Sequence, residues 1–449
     1  MFPKLVVMGY GCYPNNMRYY SITDKNIKVS FKEAILGGLS PDRGLYYPEK
    51  IPVLDNSFIG NIGNLSNEEI AYECISKFTG SDIDEKSLNE IVSETIDFEF
   101  PLYKLSEKIS VLELFHGPTM AFKDVGARFT SRVLSYFNSS EKKKVTVLVA
   151  TSGDTGAAAA SGFHGVKGVD VFILFPKGRI SAVQEKQITT LSHNIYPVEV
   201  DGSFDDCQEM VKDALTDKDL ITKINFTSAN SINISRWIPQ TLYYFFAYKQ
   251  IEKKKEDLIF SIPSGNFGNL FACLVSSGMG LPVKRIIASN NLNDTFTKFI
   301  NSNKYKPSKS IRTISSAMDV GDPSNFVRVL EYFSNQGTEM KEFISAYSIG
   351  DRETKLGIKE LKERYDYVCD PHGAVGFMGI KKDKELNNNF NYIFLETAHY
   401  SKFMEEMKYV ISSSLSYPER IKKVLSQEGN CYKIRKYSEF KDYINMTNS

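Results

Sequence analysis

The sequence is poor in the features that metal and thiol chemistry usually leave behind. Its six cysteines (Cys12, Cys74, Cys207, Cys273, Cys369, Cys431) stand singly with no CxxC pair. That disfavours a zinc ribbon and, in so long a chain, a disulfide framework. The five histidines (His116, His164, His193, His372, His399) show neither HExxH nor HxxxH spacing, so no helix-borne metal site is expected. An excess of one charge is missing too: 55 Lys and Arg face 54 Asp and Glu. A net +1 creates no field to gather nucleic acid or an anionic membrane. No apolar run approaches the roughly 18 residues of a bilayer-spanning helix. With 42% hydrophobic and 24% charged residues the chain is neither disordered nor fibrous. These absences leave a cytoplasmic globular protein whose chemistry does not rest on metal, thiol or imidazole.

What is present is length and alternation. A chain of 449 residues accommodates two or three domains of roughly 100–200 residues each. Residues 1–16 read as an extraneous or disordered leader, since Met1 to Val7 is too short for a signal peptide and a Gly/Pro/Asn loop follows. Residues 17–100 read as a small domain of helical stretches, one of them Ser66–Phe78, which has Asn67, Glu68 and Glu69 in its first turn. Beyond it, strand-like runs at Val145–Val149, Val169–Phe175, Leu258–Ile262, Ile286–Ala288, Tyr367–Cys369 and Tyr392–Leu395 alternate with helical ones. Such alternation implies βαβ units and an α/β fold with a parallel sheet covered by helices. The lysine clusters Lys142–Lys144 and Lys253–Lys255 are expected at solvated ends.

In an open α/β sheet, ligands sit at the carboxyl ends of strands, where helix N-termini point N–H groups outward. Two loops have this form: Thr151-Ser152-Gly153-Asp154-Thr155-Gly156 and Ser264-Gly265-Asn266-Phe267-Gly268-Asn269. Glycine lets the backbone approach an anion, and hydroxyls and amides add donors. Taken alone, each is equally an ordinary strand-to-helix turn; neither is a P-loop, because the chain has no GK[ST]. A third segment, His116-Gly117-Pro118-Thr119-Met120-Ala121-Phe122-Lys123-Asp124, places a lysine in an apolar context. Desolvation there would lower the amine's pKa and make it a nucleophile or base, whereas most lysines are simply on the surface. One reactive lysine, two anion-cradling turns and no metal ligands suit pyridoxal 5'-phosphate (PLP), which needs an amine, a phosphate cradle and a ring-nitrogen partner.

From Met17 onward the sequence resembles the threonine synthases, PLP enzymes of fold type II, in their longer form with an N-terminal domain. The resemblance is carried by Tyr20-Ser21-Ile22-Thr23 through Gly38, Arg43-Gly44-Leu45-Tyr46-Tyr47-Pro48, the Phe115-to-Asp124 segment, and Ala150 to Gly156. Asn230-Ser231-Ile232-Asn233 with Arg236, Pro263 to Asn269, Ala317-Met318-Asp319-Val320 and Glu396-Thr397-Ala398-His399 complete it in order. It implies a two-lobed catalytic region over 101–449, with a small lobe at roughly 130–235 and an active site in a cleft that closes on substrate.

The implied activity is conversion of O-phospho-L-homoserine and water to L-threonine and phosphate, the last step of threonine biosynthesis, by a monomer or homodimer. By resemblance, Lys123 is the Schiff-base lysine that afterwards shuttles protons, and Gly265, Asn266, Phe267, Gly268 and Asn269 hold the cofactor phosphate. Thr397 meets the ring nitrogen. Thr151, Ser152, Gly153, Asp154 and Thr155 take the substrate carboxylate, and Asn230, Ser231 and Arg236 the substrate phosphate, for which a guanidinium fork is well shaped. Asp154 beside a carboxylate is expected to face the ring hydroxyl or a backbone amide, or to stay protonated. Tyr400 stands where the family commonly has proline, which bears on the loop holding Thr397. Lys177 and Arg179 are expected in a solvated loop, and His116 is open between a structural and a substrate-contacting role. The competing readings are a related phospho-lyase or serine/threonine dehydratase, which needs no phosphate site on Asn230, Ser231 and Arg236, and a catalytically silent PLP-binding protein, against which Lys123 argues.

Overall fold

Runs of β-branched and aromatic residues that end at glycine-, serine- or asparagine-rich turns form the inner strands of two parallel sheets. The computed structural model describes residues 17–141, 144–252, 257–383, 390–411 and 415–448. The larger sheet has six strands, in the order Ile344–Ser348, Val283–Asn290, Asp257–Pro263, Phe390–Glu396, Ile109–Glu113, Leu102–Lys104. All its pairings are parallel except that of Leu102–Lys104 at the edge. The smaller sheet runs Tyr432–Ile434, Ile195–Val200, Val169–Pro176, Val145–Ala150, Asn225–Ser228, parallel throughout. Every residue of Val145–Ala150 and Val169–Pro176 is buried, as continuous apolar strands covered on both faces must be. Four of the five strands fall within 130–235; the fifth returns from the C-terminus.

The sequence-predicted strands at 145, 169, 258, 286 and 392 are all present, each longer by one to five residues. Tyr367–Cys369 is not a strand. The helix Asp351–Tyr365 ends on Asp366 in the left-handed region (φ 51°), and the chain runs from there to Asp370, which caps the helix Pro371–Lys382. Tyr367 and Cys369 are apolar because they are buried between the large sheet and these helices, not because they pair with a strand.

The N-terminal region contains an antiparallel three-stranded sheet, Lys28–Ser30, Arg18–Ser21, Tyr46–Pro48, beside its helices. The predicted helix spans Asn67–Thr79, with Ser66 and Glu69 satisfying one another's backbone N–H groups. This region shares one apolar core with the rest of the chain: Phe78 meets Trp237 edge-on at 5.7 Å, and Tyr47 lies 5.7 Å from Phe271. The leader at 1–16, Lys142, Lys143 and the cluster Lys253–Lys255 lie outside the described residues. The described cysteines are all free, and no described helix is long and apolar enough to cross a membrane.

Candidate active site

Five parallel strands from the two sheets carry the motif segments at their carboxyl ends: Ile109–Glu113, Val145–Ala150, Asn225–Ser228, Asp257–Pro263 and Phe390–Glu396. The lysine loop follows the first. Asp124, buried, accepts from the Thr119 N–H (2.9 Å) and hydroxyl (2.6 Å), which folds the Gly117–Thr119 turn back on the helix Lys123–Glu141. A Cβ at Gly117 would stand 2.5 Å from Asp124 Oδ2, so the turn requires glycine. The loop is then zipped to the end of the fifth strand. Phe122 N–H donates to the Thr397 carbonyl (2.8 Å), His399 N–H to that of Met120 (3.1 Å), and Ala121 bridges Ala398. Lys123 and Thr397 are thereby fixed relative to one another upstream of Tyr400, whose ring lies tilted against that of His399 with centroids 4.3 Å apart. The Thr397 hydroxyl has no protein partner among the described residues. Burial brings the Lys123 amine down to about 8; Asp154 opposes that, and Arg236 and Lys402 add to it.

In the first glycine loop the Thr151 hydroxyl oxygen accepts the N–H groups of Gly153 (2.9 Å) and Gly156 (2.8 Å), winding the loop into the helix Asp154–Phe163. Gly153 has φ 127° and the Gln184 side chain within 2.5 Å of a hypothetical Cβ, so no other residue fits. Ser152 and Thr155 are half-buried, and neither hydroxyl has a protein partner among the described residues. Asp154 is ionised rather than protonated. Burial works to raise its pKa, but Lys402 at 2.7 Å, Lys123 and Gln184 at 2.9 Å hold it well below the usual carboxylate range.

The second loop is built against Met318, whose Cα would lie 2.8 Å from a Cβ on Gly265. Phe267, packed on Phe296, takes φ 62° at the start of the helix Gly268–Gly278, a conformation a bulky residue holds only under surrounding constraint. Asn266 donates to Ser231 Oγ (2.7 Å) and accepts from Ser324 N–H (2.6 Å). Asn269 accepts from the Tyr244 hydroxyl (2.8 Å), while its own buried Nδ2 has no partner.

In the third segment, the Asn230 side chain bonds both backbone groups of Ala150 and so secures the strand end ahead of Thr151. Ser231 Oγ accepts from Asn266 and from Asn325 (3.0 Å), leaving its own proton to donate. Arg236 is buried; Nη1 donates to the Ala229 carbonyl and Nε is unpartnered. Burial lowers its pKa to about 10 against the influence of Tyr243 and Asp124. Of the residues left open by sequence, His116 bonds Glu113 (2.7 Å) and stacks on Phe115, and Lys177 and Arg179 are exposed.

Lys402, Gln184, Ser324 and Asn325 were not singled out by the sequence. Lys402 is wholly buried and joins Asp154 to the Thr119 carbonyl (2.9 Å). The one local hint for it is its place five residues after Thr397; for Asn325 it is the Asp322-Pro323-Ser324-Asn325 turn before a helix.

These residues fit PLP. The buried, unsatisfied Asn269 amide at a helix start, a Gly265 backbone open only because it lacks Cβ, and an amine depressed to about 8 supply a phosphate cradle and a nucleophile. The chain matches the family model for pyridoxal-phosphate dependent enzymes over residues 100–396 and that for the threonine synthase N terminus over 18–96. It is 41% identical to a threonine synthase of Buchnera aphidicola over 408 residues, covering 90% of this chain and 94% of that one. To the Escherichia coli K12 threonine synthase it is 40% identical over 406 residues, with coverages of 90% and 94%. The crystal structure of the Escherichia coli threonine synthase superposes with a TM-score of 0.91 at 37% identity, covering 96% of this chain and all of that one. A PLP-bound threonine synthase from Brucella melitensis gives 0.89 at 30%, with coverages of 96% and 99%. The chain is a PLP-dependent lyase of fold type II, and it belongs to the threonine synthase family.

Proposed function

We propose that the chain converts O-phospho-L-homoserine and water to L-threonine and phosphate. The observation that carries this reading is Arg236, buried with Nε unpartnered and with no carboxylate at ion-pairing distance among the described residues, on the same short segment as a Ser231 proton free to donate. A guanidinium and a hydroxyl so placed receive a phosphate dianion; a dehydratase of hydroxyl amino acids has no such group to bind. When bound, PLP supplies an electron sink for charge that develops on the substrate carbon skeleton. The Gly265–Asn269 loop holds its phosphate through backbone N–H groups and the Asn269 amide, and the Thr397 hydroxyl is a neutral partner for its ring nitrogen. Ser152 and Thr155, with the N–H groups of their loop, take the substrate carboxylate; Lys402 neutralises Asp154, so that this anion does not repel it. Lys123, depressed far enough to give up its proton near neutral pH, removes protons first at Cα and then at Cβ, and returns one to Cγ once phosphate has left and one to Cα once water has added. Phosphate leaves from Cγ onto Arg236 and Ser231, and water adds at Cβ.

The test is phosphate release by the purified holoenzyme from O-phosphohomoserine, run beside ammonia release from threonine and serine. Phosphate with L-threonine as co-product is the expected result. Turnover of serine or threonine without phosphate release would establish the dehydratase instead, and an absorbing but inactive protein the silent binder.

A further inference from the structure

Arg328, on the helix Phe326–Gln336, is among the largest fully buried side chains of the molecule and is 0% exposed. Its guanidinium donates only to neutral oxygens: the carbonyls of Tyr46 (3.1 Å), Ser231 (3.0 Å) and Ile232 (2.5 Å), and Asn325 Oδ1 (2.5 Å). No carboxylate lies at ion-pairing distance among the described residues, although buried charges are normally paired. Two of the four acceptors belong to the Asn230–Arg236 segment. In a planar trans peptide the carbonyl and the following N–H point in opposite directions. Drawing the Ser231 and Ile232 carbonyls onto the guanidinium therefore turns the N–H groups of Ile232 and Asn233 away from it. That of Asn233 returns to the Asn230 carbonyl (3.1 Å), while that of Ile232 has no protein partner among the described residues. A third acceptor, Asn325, donates onward to Ser231 Oγ and to the Asn266 carbonyl (both 3.0 Å), so the same guanidinium braces the cofactor loop. The fourth, Tyr46, lies in the N-terminal sheet.

We propose that Arg328 is a positioning residue for the substrate phosphate: it holds the 230–233 turn with its donors outward, and the phosphate supplies the counter-charge that the protein withholds from the guanidinium. The inference rests on the reading of Asn230–Arg236 as the phosphate site. It gives the N-terminal region a part in phosphate recognition through the Tyr46 carbonyl, and it makes Arg328 a determinant of preference for phosphorylated over hydroxyl substrates.

Holoenzymes carrying Arg328→Gln, Arg328→Lys and Arg236→Gln are titrated with inorganic phosphate by calorimetry, and KM and kcat for O-phosphohomoserine are measured beside them. Arg328→Gln is expected to weaken phosphate binding and raise KM by about tenfold, the size of one charge-assisted contribution. Its kcat at saturation should stay within about threefold of the parent's, because binding rather than chemistry is affected. Arg328→Lys, which keeps the charge with fewer bonds, should fall between parent and Gln. A purely structural role would lower the melting temperature and leave the phosphate affinity of the folded protein unchanged; that result, or Lys performing no better than Gln, overturns the inference. Should Arg328→Gln not fold, a phosphate affinity of Arg328→Lys equal to the parent's overturns it equally. If Arg236→Gln also binds phosphate like the parent, the phosphate-site reading itself fails; if it binds weakly and the Arg328 variants do not, only the role of Arg328 falls.

Discussion

A lysine amine attacks only after losing its proton, and at Lys123 the protein has shifted that loss from the ordinary value of 10.5 to about 8. Burial is the main cause, and the cations Arg236 and Lys402 reinforce it. The sign is that of a depressed base: below pH 8 the folded chain carries the ammonium at a cost in stability, and the cost is relieved as pH rises from 8 toward 10.5. The apo-chain should accordingly capture added PLP at a rate that climbs through a midpoint near 8 and then levels, followed as growth of the Schiff-base absorbance. A midpoint near that of an ordinary lysine would refute the desolvated environment. Sequence made Lys123 legible because its flanking Gly-Pro turn and apolar neighbours are local. Asp154 and Arg236 were legible as site residues only through the resemblance and Lys402 not at all, because the topology of two sheets brings them from 31, 113 and 279 positions away.

At the scale of elements, the Asp154–Lys402 pair joins the first turn of the helix Asp154–Phe163 to the turn Tyr400–Phe403 that follows the Thr397 strand. With side chains 3% and 0% exposed, neither charge has water to fall back on. Lys402→Met should therefore destabilise the protein by about 3 kcal/mol, since breaking a buried pair leaves an unpaired charge. The double variant Lys402→Met/Asp154→Asn should recover most of that loss in thermal or urea unfolding; a double variant no more stable than the single would show that the pair is not the link. The runs at 145, 169, 258, 286 and 392 were legible as strands because fully covered parallel strands are continuously apolar, whereas Tyr367–Cys369 shares that signature only through burial. Ile195–Val200 went unread because Pro197 interrupts it, and it is tolerated because the outer neighbour Tyr432–Ile434 begins pairing only at Val198. The strands of the N-terminal sheet are three or four residues long, too short to display an alternation.

For the whole molecule, the consequence of this topology is that the small sheet is discontinuous in sequence, its last strand lying beyond every strand of the large sheet. Tyr432–Ile434 joins the strands between 145 and 228, and the helix Tyr437–Asn448 closes one face of the small sheet with Phe440 and Ile444, both 0% exposed. Nothing local in the sequence ties the last twenty residues to Phe172, against whose ring Phe440 packs edge-on at 6.0 Å, so this closure was not legible as a lobe boundary. Phe440 belongs to an apolar cluster on one face of the small sheet, distinct from the shared core that joins the N-terminal region to the large sheet and to the other face of the small one. Phe440→Ala should therefore cost about 3–5 kcal/mol, the range for truncating a buried aromatic, and its effect should appear in the small sheet first. Urea unfolding followed by hydrogen exchange is expected to show loss of protection in strands 145–150, 169–176 and 195–200 ahead of 257–263 and 390–396. Uniform loss across both sheets would mean that the two sheets unfold as one unit and that the C-terminal closure stabilises the molecule as a whole.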